Sequence, residues 1–183
     1  MSYDANSIES LSFRDGVRRR INMYLGSNDI EGTYQALKEI INNSTDEALA
    51  GYGNKIIITV NEKTNEISVE DFGRGVPFLV KEDGTNLLVD IFTKAHTGGK
   101  FNHDSYKNAS GLNGCGGGCV CLSSESFTVV STRDGKRATA IFEKGNNISY
   151  KEEKADKNKH GTLVRFIPDK EVFSEGEIGY SYS

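Results

Sequence analysis

The sequence predicts an α+β fold, a two-layer α/β sandwich in which helices cover one face of a mixed, mostly antiparallel sheet. Helix-like periodicity is concentrated near the start of the chain, whereas β-branched and alternating runs dominate the second half. The length of 183 residues suits one domain with a two-layer core. We therefore expect an arm at residues 1–10 and one folded domain at residues 11–183.

The predicted helices are defined by apolar periodicity and by glycines at their ends. A short helix at 14–21 ends near Gly26, and a long helix at 32–50 is closed by two glycines. A third, short helix is expected at 86–92. The stretch 93–118 that follows is rich in glycine and predicts a long loop.

The predicted strands are runs in which β-branched residues cluster or apolar and polar residues alternate. Turn sequences such as Asp134-Gly135 separate them. In chain order these strands lie at 55–60, 66–71, 127–131, 137–144, 148–152 and 162–167. Helices followed by a succession of strands favour one sheet that is covered on one face.

Charge and composition exclude several functions. A net charge of −4 and a pI of about 5.5 do not suit direct DNA binding by this domain alone, because autonomous DNA binders are usually basic. No apolar run approaches the roughly 18 residues of a membrane helix, and the N-terminus lacks a signal-peptide pattern. We expect a cytoplasmic protein with no membrane partner. Cys115, Cys119 and Cys121 lack the paired spacing of a zinc site, and we expect reduced thiols.

The long helix carries a polar stripe that suits a close-packed ligand. At about 100° per residue, Glu39, Asn43 and Asp46 fall within roughly 60° of each other. The opposite side is predicted to be the apolar face and consists of Leu37, Ile41, Ser44 and Ala48. The stripe offers a carboxylate and a carboxamide one turn apart. A solvated helix face would show the same pattern, so the stripe indicates a ligand site only in combination with other motifs.

Three glycine-containing motifs accompany the stripe. Asp71-x-Gly73-x-Gly75 follows a strand, where an aspartate can accept a hydrogen bond from an exocyclic amine. Residues 110–118 contain five glycines, whose backbone N–H groups can wrap an anion, as can a helix that starts near Gly117. The last motif is Gly161-Thr162 at the start of a strand.

In this order the four elements resemble the GHKL ATPase family, whose fold is also called the Bergerat fold and whose motifs run E-x3-N, D-x-G-x-G, a glycine lid and G-T. The likeness is strongest to the N-terminal ATPase domain of bacterial type IIA DNA topoisomerase B subunits, the gyrase B and topoisomerase IV B group. It covers the chain from about residue 3 to residue 169. The stretches that carry it are 18–26, 39–52, 73–77, 96–101 and 161–169.

The resemblance implies a set of site residues. Glu39 would be the general base for the water that attacks the γ-phosphate of ATP, and Asn43 would be a ligand of Mg²⁺. Asp71 would accept from the adenine amino group, partly through a water that also touches Thr162. The implied ATP-binding residues are Tyr3 from the arm, Asn43, Asp46, Glu47, Asp71, Arg74, Gly75, Pro77, Lys100, Lys107, Gly111, Leu112, Asn113, Gly114, Cys115, Gly116, Gly117, Arg133 and Thr162.

The resemblance also implies partners and a larger parent enzyme. In such an enzyme ATP binding closes a homodimer of B subunits that acts with A subunits on duplex DNA. The adenine pocket would also take competitive inhibitors. We expect the chain to be a fragment without the transducer and later domains, and therefore a weak, monomeric ATPase. The alternatives are another GHKL ATPase, of the chaperone or mismatch-repair type, or a nucleotide-sensing module with little turnover.

Two residues depart from the pattern of the group. Phe72 stands where Asn or Asp is usual and is expected to put an apolar ring beside the metal and phosphates. Asn113 stands where a lid histidine is usual, in a lid richer in glycine. A looser lid loses more entropy when it closes, so we expect weaker nucleotide affinity than in typical members.

Overall fold

The computed structural model of the protein describes residues 12–95 and 116–174. Within these ranges the chain forms five helices and six strands. In chain order they are α1 (Phe13–Arg19), α2 (Ile21–Leu25), α3 (Ile30–Leu49), β1 (Ile56–Asn61), β2 (Glu66–Asp71), α4 (Leu87–Thr93), α5 (Gly116–Leu122), β3 (Ser124–Arg133), β4 (Lys136–Glu143), β5 (Asn146–Lys154) and β6 (Gly161–Pro168).

The six strands form one sheet in the order β1-β2-β6-β3-β4-β5. All five pairings between these strands are antiparallel, in agreement with the mostly antiparallel sheet predicted. β6 lies between β2 and β3, and in its register Val164 is opposite Val69 on one side and Val129 on the other. This last strand therefore joins the β1–β2 hairpin to the three strands β3 to β5.

The helices cover one face of the sheet, as predicted. Along β2 and β3 every second side chain is buried on this face, among them Ile67, Val69, Phe127 and Val129. Phe92 of α4 packs on Phe127 with 5.2 Å between ring centroids. α5 contacts α3, α4 and β3, and α3 also contacts β2 and β6 directly. The core is thus the layer between the helices and the sheet.

Side-chain caps fix where the helices start. Asp29 accepts a hydrogen bond from Glu31 N and begins α3 at Ile30, two residues before the predicted start. Asn86 accepts from the backbone of Leu88 and Val89 and begins α4. In both cases the cap satisfies backbone N–H groups that have no partner within the helix.

The prediction of one helix at 14–21 is wrong. The backbone leaves helical geometry at Arg20 (φ −129°, ψ 42°), and α2 then runs to Gly26. Arg18 fixes α1 by donating to Leu122 O at 3.0 Å and to Asp169 Oδ2 at 2.5 Å. No glycine or proline marks the break in the sequence. Long-range contacts such as those of Arg18 account for it instead.

The glycine-rich stretch ends earlier than predicted, since α5 already begins at Gly116. Burial of its apolar residues stabilises a helix that three glycines would disfavour in isolation. Cys121 is a free, buried thiol in this helix, and burial raises its pKa well above the usual value. Cys119 is disulfide-bonded, so the prediction of reduced thiols is wrong for that residue.

Candidate functional site

The buried face of α3 lies between the predicted apolar face and the predicted polar stripe. Ala36, Ile40 and Ser44 are buried, whereas Leu37 and Ile41 of the predicted apolar face are only half-buried. The shift turns the polar stripe partly into the interior. Its first member, Glu39, is therefore only 9% exposed, which is unusual for a glutamate on a helix surface.

The buried carboxylate of Glu39 is held by a neighbour on its own helix. Gln35, one turn earlier, donates from Nε2 to Glu39 Oε1 at 2.7 Å. A polar group at such low exposure needs a hydrogen-bond partner. Gln35 leaves the second oxygen, Oε2, to face α5.

The first turn of α5 lies directly on the polar stripe. A Cβ atom at Gly116 would stand 2.5 Å from Glu39 Oε2, and one at Gly117 would stand 3.2 Å from Asn43 Nδ2. Any residue but glycine at position 116 would displace the carboxylate. The structure therefore brings the end of the glycine-rich segment against the carboxylate and carboxamide that the sequence singled out.

Asp71 is the centre of a buried hydrogen-bond network. Its side chain is 8% exposed, and Oδ2 accepts from the hydroxyl of Ser44 at 2.9 Å. Oδ1 accepts from Gly73 N at 3.0 Å and from Thr162 N at 3.2 Å. Thr162 Oγ1 in turn accepts from Val76 N at 3.2 Å. The network joins α3, the D-x-G-x-G turn and β6 at one point.

The two glycines of D-x-G-x-G serve internal packing. A Cβ at Gly73 would stand 2.9 Å from the side chain of Glu47. Gly75 has φ +79°, and a Cβ there would stand 2.5 Å from Thr132 O. Gly75 therefore has a structural role within the fold, because it allows close packing against β3.

The edge of the site is an ion-pair cluster around Glu47. Oε2 of Glu47 accepts from the backbone N and the Nε of Arg74 at 3.0 and 3.1 Å, and Oε1 accepts from Nη2 at 2.7 Å. Arg133 donates from Nη1 to Gly75 O at 3.2 Å. Asp46 stands one residue before Glu47, and burial, followed by the charge of Glu47, raises its pKa. Pro77, half-buried, follows this cluster in sequence.

Phe72 contacts the connection between α3 and β1, and its expected place beside the metal and phosphates stays a prediction. Its ring lies under Lys55 Nζ, 5.9 Å from the ring centroid, and its backbone is 2.9 Å from the place of a Cβ at Gly53. Gly53 lies ten residues beyond Asn43, past the end of α3. Phe72 follows the last residue of β2 and packs at the α3–β1 connection.

Several contributors to the site were missed from sequence. The sequence motifs include neither Gln35 nor His160, and helical periodicity places Ser44 on the predicted apolar face. His160 Nδ1 lies 2.6 Å from Gly73 O. Because a carbonyl oxygen only accepts, Nδ1 must carry the proton. The spacing of Gln35 one turn before Glu39 was a usable signal, whereas nothing local marks His160.

Some predicted site residues lie outside the described residues and remain predictions. They are Tyr3, Lys100, Lys107, Gly111, Leu112, Asn113, Gly114 and Cys115. Of the helices in residues 12–95 and 116–174, none has the length and apolar character needed to cross a membrane.

Comparison with known proteins gives the class. The family model described as histidine kinase-, DNA gyrase B- and HSP90-like ATPase matches residues 28–172. The chain therefore belongs to this family of ATPases, and the antiparallel sheet with helices on one face is the family's fold. Glu39, Asn43, Asp71, Gly116 and Thr162 all fall within the matched residues.

Within the family the similar proteins are bacterial topoisomerase subunits. The chain is 43% identical over 177 residues to the DNA gyrase B subunit of Thermotoga maritima, covering 96% of this chain and 28% of that protein. It is 39% identical over 179 residues to the DNA topoisomerase 4 B subunit of Mycoplasma genitalium, covering 97% and 28%. The chain thus spans less than a third of these relatives.

A solved structure shows the same architecture. The crystal structure of the 43K ATPase domain of Thermus thermophilus gyrase B in complex with an aminocoumarin matches with a TM-score of 0.75 and 33% identity. The match covers 92% of this chain and 42% of that one. The fold is therefore that of a gyrase B ATPase domain.

Proposed function

We propose that residues 11–183 form the ATP-binding and ATP-hydrolysing domain of a bacterial type IIA DNA topoisomerase B subunit, preceded by an arm at residues 1–10. The observation that carries the proposal is the convergence of Glu39 and Asn43 under the first turn of α5. A carboxylate with one oxygen turned toward that turn is what a general base near a phosphate needs. Family membership and similarity to gyrase B and topoisomerase IV B subunits support the assignment.

Glu39 is the proposed general base. Gln35 holds Oε1, so Oε2 is the oxygen left to orient and deprotonate the water that attacks the γ-phosphate. The proton moves from this water to Oε2, and the bond between the γ-phosphorus and the bridging oxygen breaks. The low exposure of Glu39 limits competing hydration of the carboxylate.

Asp71 is the proposed acceptor for the adenine amino group. Its two oxygens already accept from Ser44, Gly73 and Thr162, which fixes the carboxylate before the ligand arrives. A carboxylate oxygen has more than one lone pair, so Asp71 can accept a further donor, directly or through water. Arg74, Pro77 and Arg133 form the proposed rim of this pocket, where competitive inhibitors would also bind.

Asn43 is the proposed Mg²⁺ ligand. Its side chain is exposed and offers a carboxamide oxygen, a donor type that Mg²⁺ accepts. Among the described residues no group of three or more His, Cys, Asp or Glu side chains could hold a metal ion by itself. In nucleotide sites Mg²⁺ keeps water and takes phosphate oxygens, and the ion would neutralise phosphate charge during transfer. Lys100, Lys107 and the lid residues Gly111 to Gly117 are proposed to complete the phosphate end.

The activity of the parent protein is part of the proposal. ATP binding would close a homodimer of B subunits, with Tyr3 reaching the partner's site, and would drive strand passage of duplex DNA with A subunits. We place such a protein in the cytoplasm. The isolated chain is proposed to bind ATP and to hydrolyse it slowly.

The test is a titration of the purified chain with ATP and with a non-hydrolysable analogue, with and without Mg²⁺. Glu39→Ala is expected to keep nucleotide binding and to lose turnover. Glu31→Ala, which removes an exposed carboxylate of the same helix, is the matched control and should retain both. Turnover that survives in Glu39→Ala would refute the assigned base, and a chain that binds no nucleotide would refute the proposed function.

A further inference from the structure

The connection between α3 and β1 returns to the D-x-G-x-G turn after the helix has ended. Tyr52 N donates to Glu47 O at 2.9 Å and closes the last turn of α3. Gly51 (φ +89°) and Gly53 (φ +81°) flank Tyr52 in left-handed conformations that direct the chain back across the helix end. The ring of Tyr52 is 45% exposed, so burial in the core does not explain its position.

The ring of Tyr52 instead lies against Arg74. The guanidinium carbon Cζ is 4.1 Å from the ring centroid, close enough for a cation–π contact. The same guanidinium uses Nε and Nη2 to donate to the two oxygens of Glu47. Arg74 is thus held along its edge by a carboxylate and on one face by an aromatic ring.

A second cation–π contact links the same two segments. Here the α3–β1 connection supplies the cation and the D-x-G-x-G turn supplies the ring. Lys55 of the connection lies over the ring of Phe72, at 5.9 Å from the centroid. Gly53 lies so close to the backbone of Phe72 that a Cβ would stand 2.9 Å from its carbonyl. The connection therefore contacts the D-x-G-x-G turn on both sides of Gly73. Burial in the core does not hold Tyr52 in place, so its stacking on Arg74 indicates a role at this turn.

We propose that Tyr52 is a positioning residue for nucleotide binding, which acts by holding Arg74 and, through it, the backbone between Asp71 and Gly75. The inference rests on the proposed ATP site, because it states what the Tyr52–Arg74 contact does for that site. Tyr52 contacts the D-x-G-x-G turn and not the Glu39–Asn43 end of the site. It therefore affects the binding of adenine and leaves the chemical step unchanged.

The test compares three variants of the full chain. Tyr52→Leu removes the aromatic face, Tyr52→Phe keeps it without the hydroxyl, and Leu49→Ala is the control at an 81% exposed side chain of the same helix end. Tyr52→Leu is expected to raise both the Kd for the non-hydrolysable analogue and the KM for ATP by roughly threefold to tenfold, with kcat unchanged. Tyr52→Phe and Leu49→Ala are expected to match the parent.

A nucleotide-independent measurement accompanies the kinetics. Ring current from Tyr52 shifts the Nε–H resonance of Arg74, and this shift should disappear in Tyr52→Leu and persist in Tyr52→Phe. An unchanged KM in Tyr52→Leu, or a Tyr52→Phe variant as impaired as Tyr52→Leu, would overturn the positioning role. A parent chain that binds no nucleotide would refute the proposed function, whereas the Arg74 resonance would still report whether the contact exists.

Discussion

Gln35 and Glu39 are joined across one turn of α3 by a hydrogen bond of 2.7 Å between Nε2 and Oε1. The bond determines which oxygen of Glu39 faces α5 and which is held within the helix surface. A neutral donor does this without adding a charge beside the carboxylate. The proposed base is therefore oriented before any substrate arrives.

Gln35→Leu is expected to lower kcat by about tenfold with little change in ATP affinity, because a base that loses its orientation spends less time in the reactive geometry. Steady-state kinetics with ATP measure this. Lys38→Ala, at an exposed position of the same helix, is the control and should leave kcat unaltered. Equal kcat in Gln35→Leu and the parent would show that Glu39 needs no orienting partner.

Gly116→Ala is expected to lower turnover while the stability of the fold stays close to that of the parent. The new Cβ would stand 2.5 Å from Glu39 Oε2, and that oxygen is the free end of a flexible side chain. The carboxylate can rotate away, so the melting temperature should stay close to that of the parent while kcat falls by about tenfold or more.

Gly118→Ala in the same helix is the control for Gly116→Ala. A Cβ at Gly118 would meet nothing nearer than 3.7 Å, which is an ordinary contact. The two variants should therefore have similar melting temperatures, and only Gly116→Ala should have a lower ATPase rate than the parent. The steric account fails if Gly118→Ala is as inactive as Gly116→Ala.

Asp71→Asn is expected to weaken ATP binding by roughly tenfold to a hundredfold, because an amide can replace only part of the acceptors of a carboxylate. The amide oxygen can still serve Gly73 N and Thr162 N, so the turn should remain folded. Ser44→Ala removes one donor from the network and should have the smaller effect. Isothermal titration with the non-hydrolysable analogue ranks the two; equal losses would contradict a direct role of Asp71.

Asp90 is expected to make stability depend on pH. Burial alone would raise its pKa, but Lys81 and Lys94, with Nζ atoms 2.6 and 3.0 Å from its oxygens, lower the pKa below the ordinary value. A lowered folded-state pKa means that the ionised form stabilises the fold above the unfolded-state pKa. That contribution is lost as the pH falls through the folded-state pKa.

Asp90→Asn should therefore reduce the free energy of unfolding by about 1–3 kcal/mol at neutral pH, since it leaves two lysines without their buried partner. The difference from the parent should shrink in acid, as Asp90 of the parent itself becomes protonated. Urea unfolding at several pH values measures this, with the exposed Glu82→Gln as control. A difference that is constant with pH would contradict the ion-pair account.

The parts of the fold that sequence predicts are those with strong local signals. α3 has regular apolar periodicity and two closing glycines, and its predicted end agrees with the structure. Its start was placed two residues late because Asp29, the cap, was not recognised. The split at Arg20 could not be predicted, since the contacts of Arg18 come from residues more than one hundred positions away.

The site was predictable only in part. The motifs that contain Glu39, Asn43 and Asp71 are recognisable from the sequence, because their residue types and spacing are local features. The buried face of α3 was misplaced because hydrophobicity alone cannot foresee that Glu39 is covered by Gly116. Gln35 matters only once α5 covers its partner, so its role depends on tertiary structure.

The place of β6 in the sheet has a consequence for synthesis on the ribosome. β6 is the last strand described, yet it pairs with both β2 and β3, so the β1–β2 hairpin and the later strands have no shared partner until residue 168 has been made. Asp71 receives its bond from Thr162 across 91 residues of sequence. A nascent chain that stops short of β6 exposes two unpaired strand edges and lacks Thr162 of the proposed adenine pocket. Completion of the sheet and competence to bind nucleotide therefore arrive together, late in translation.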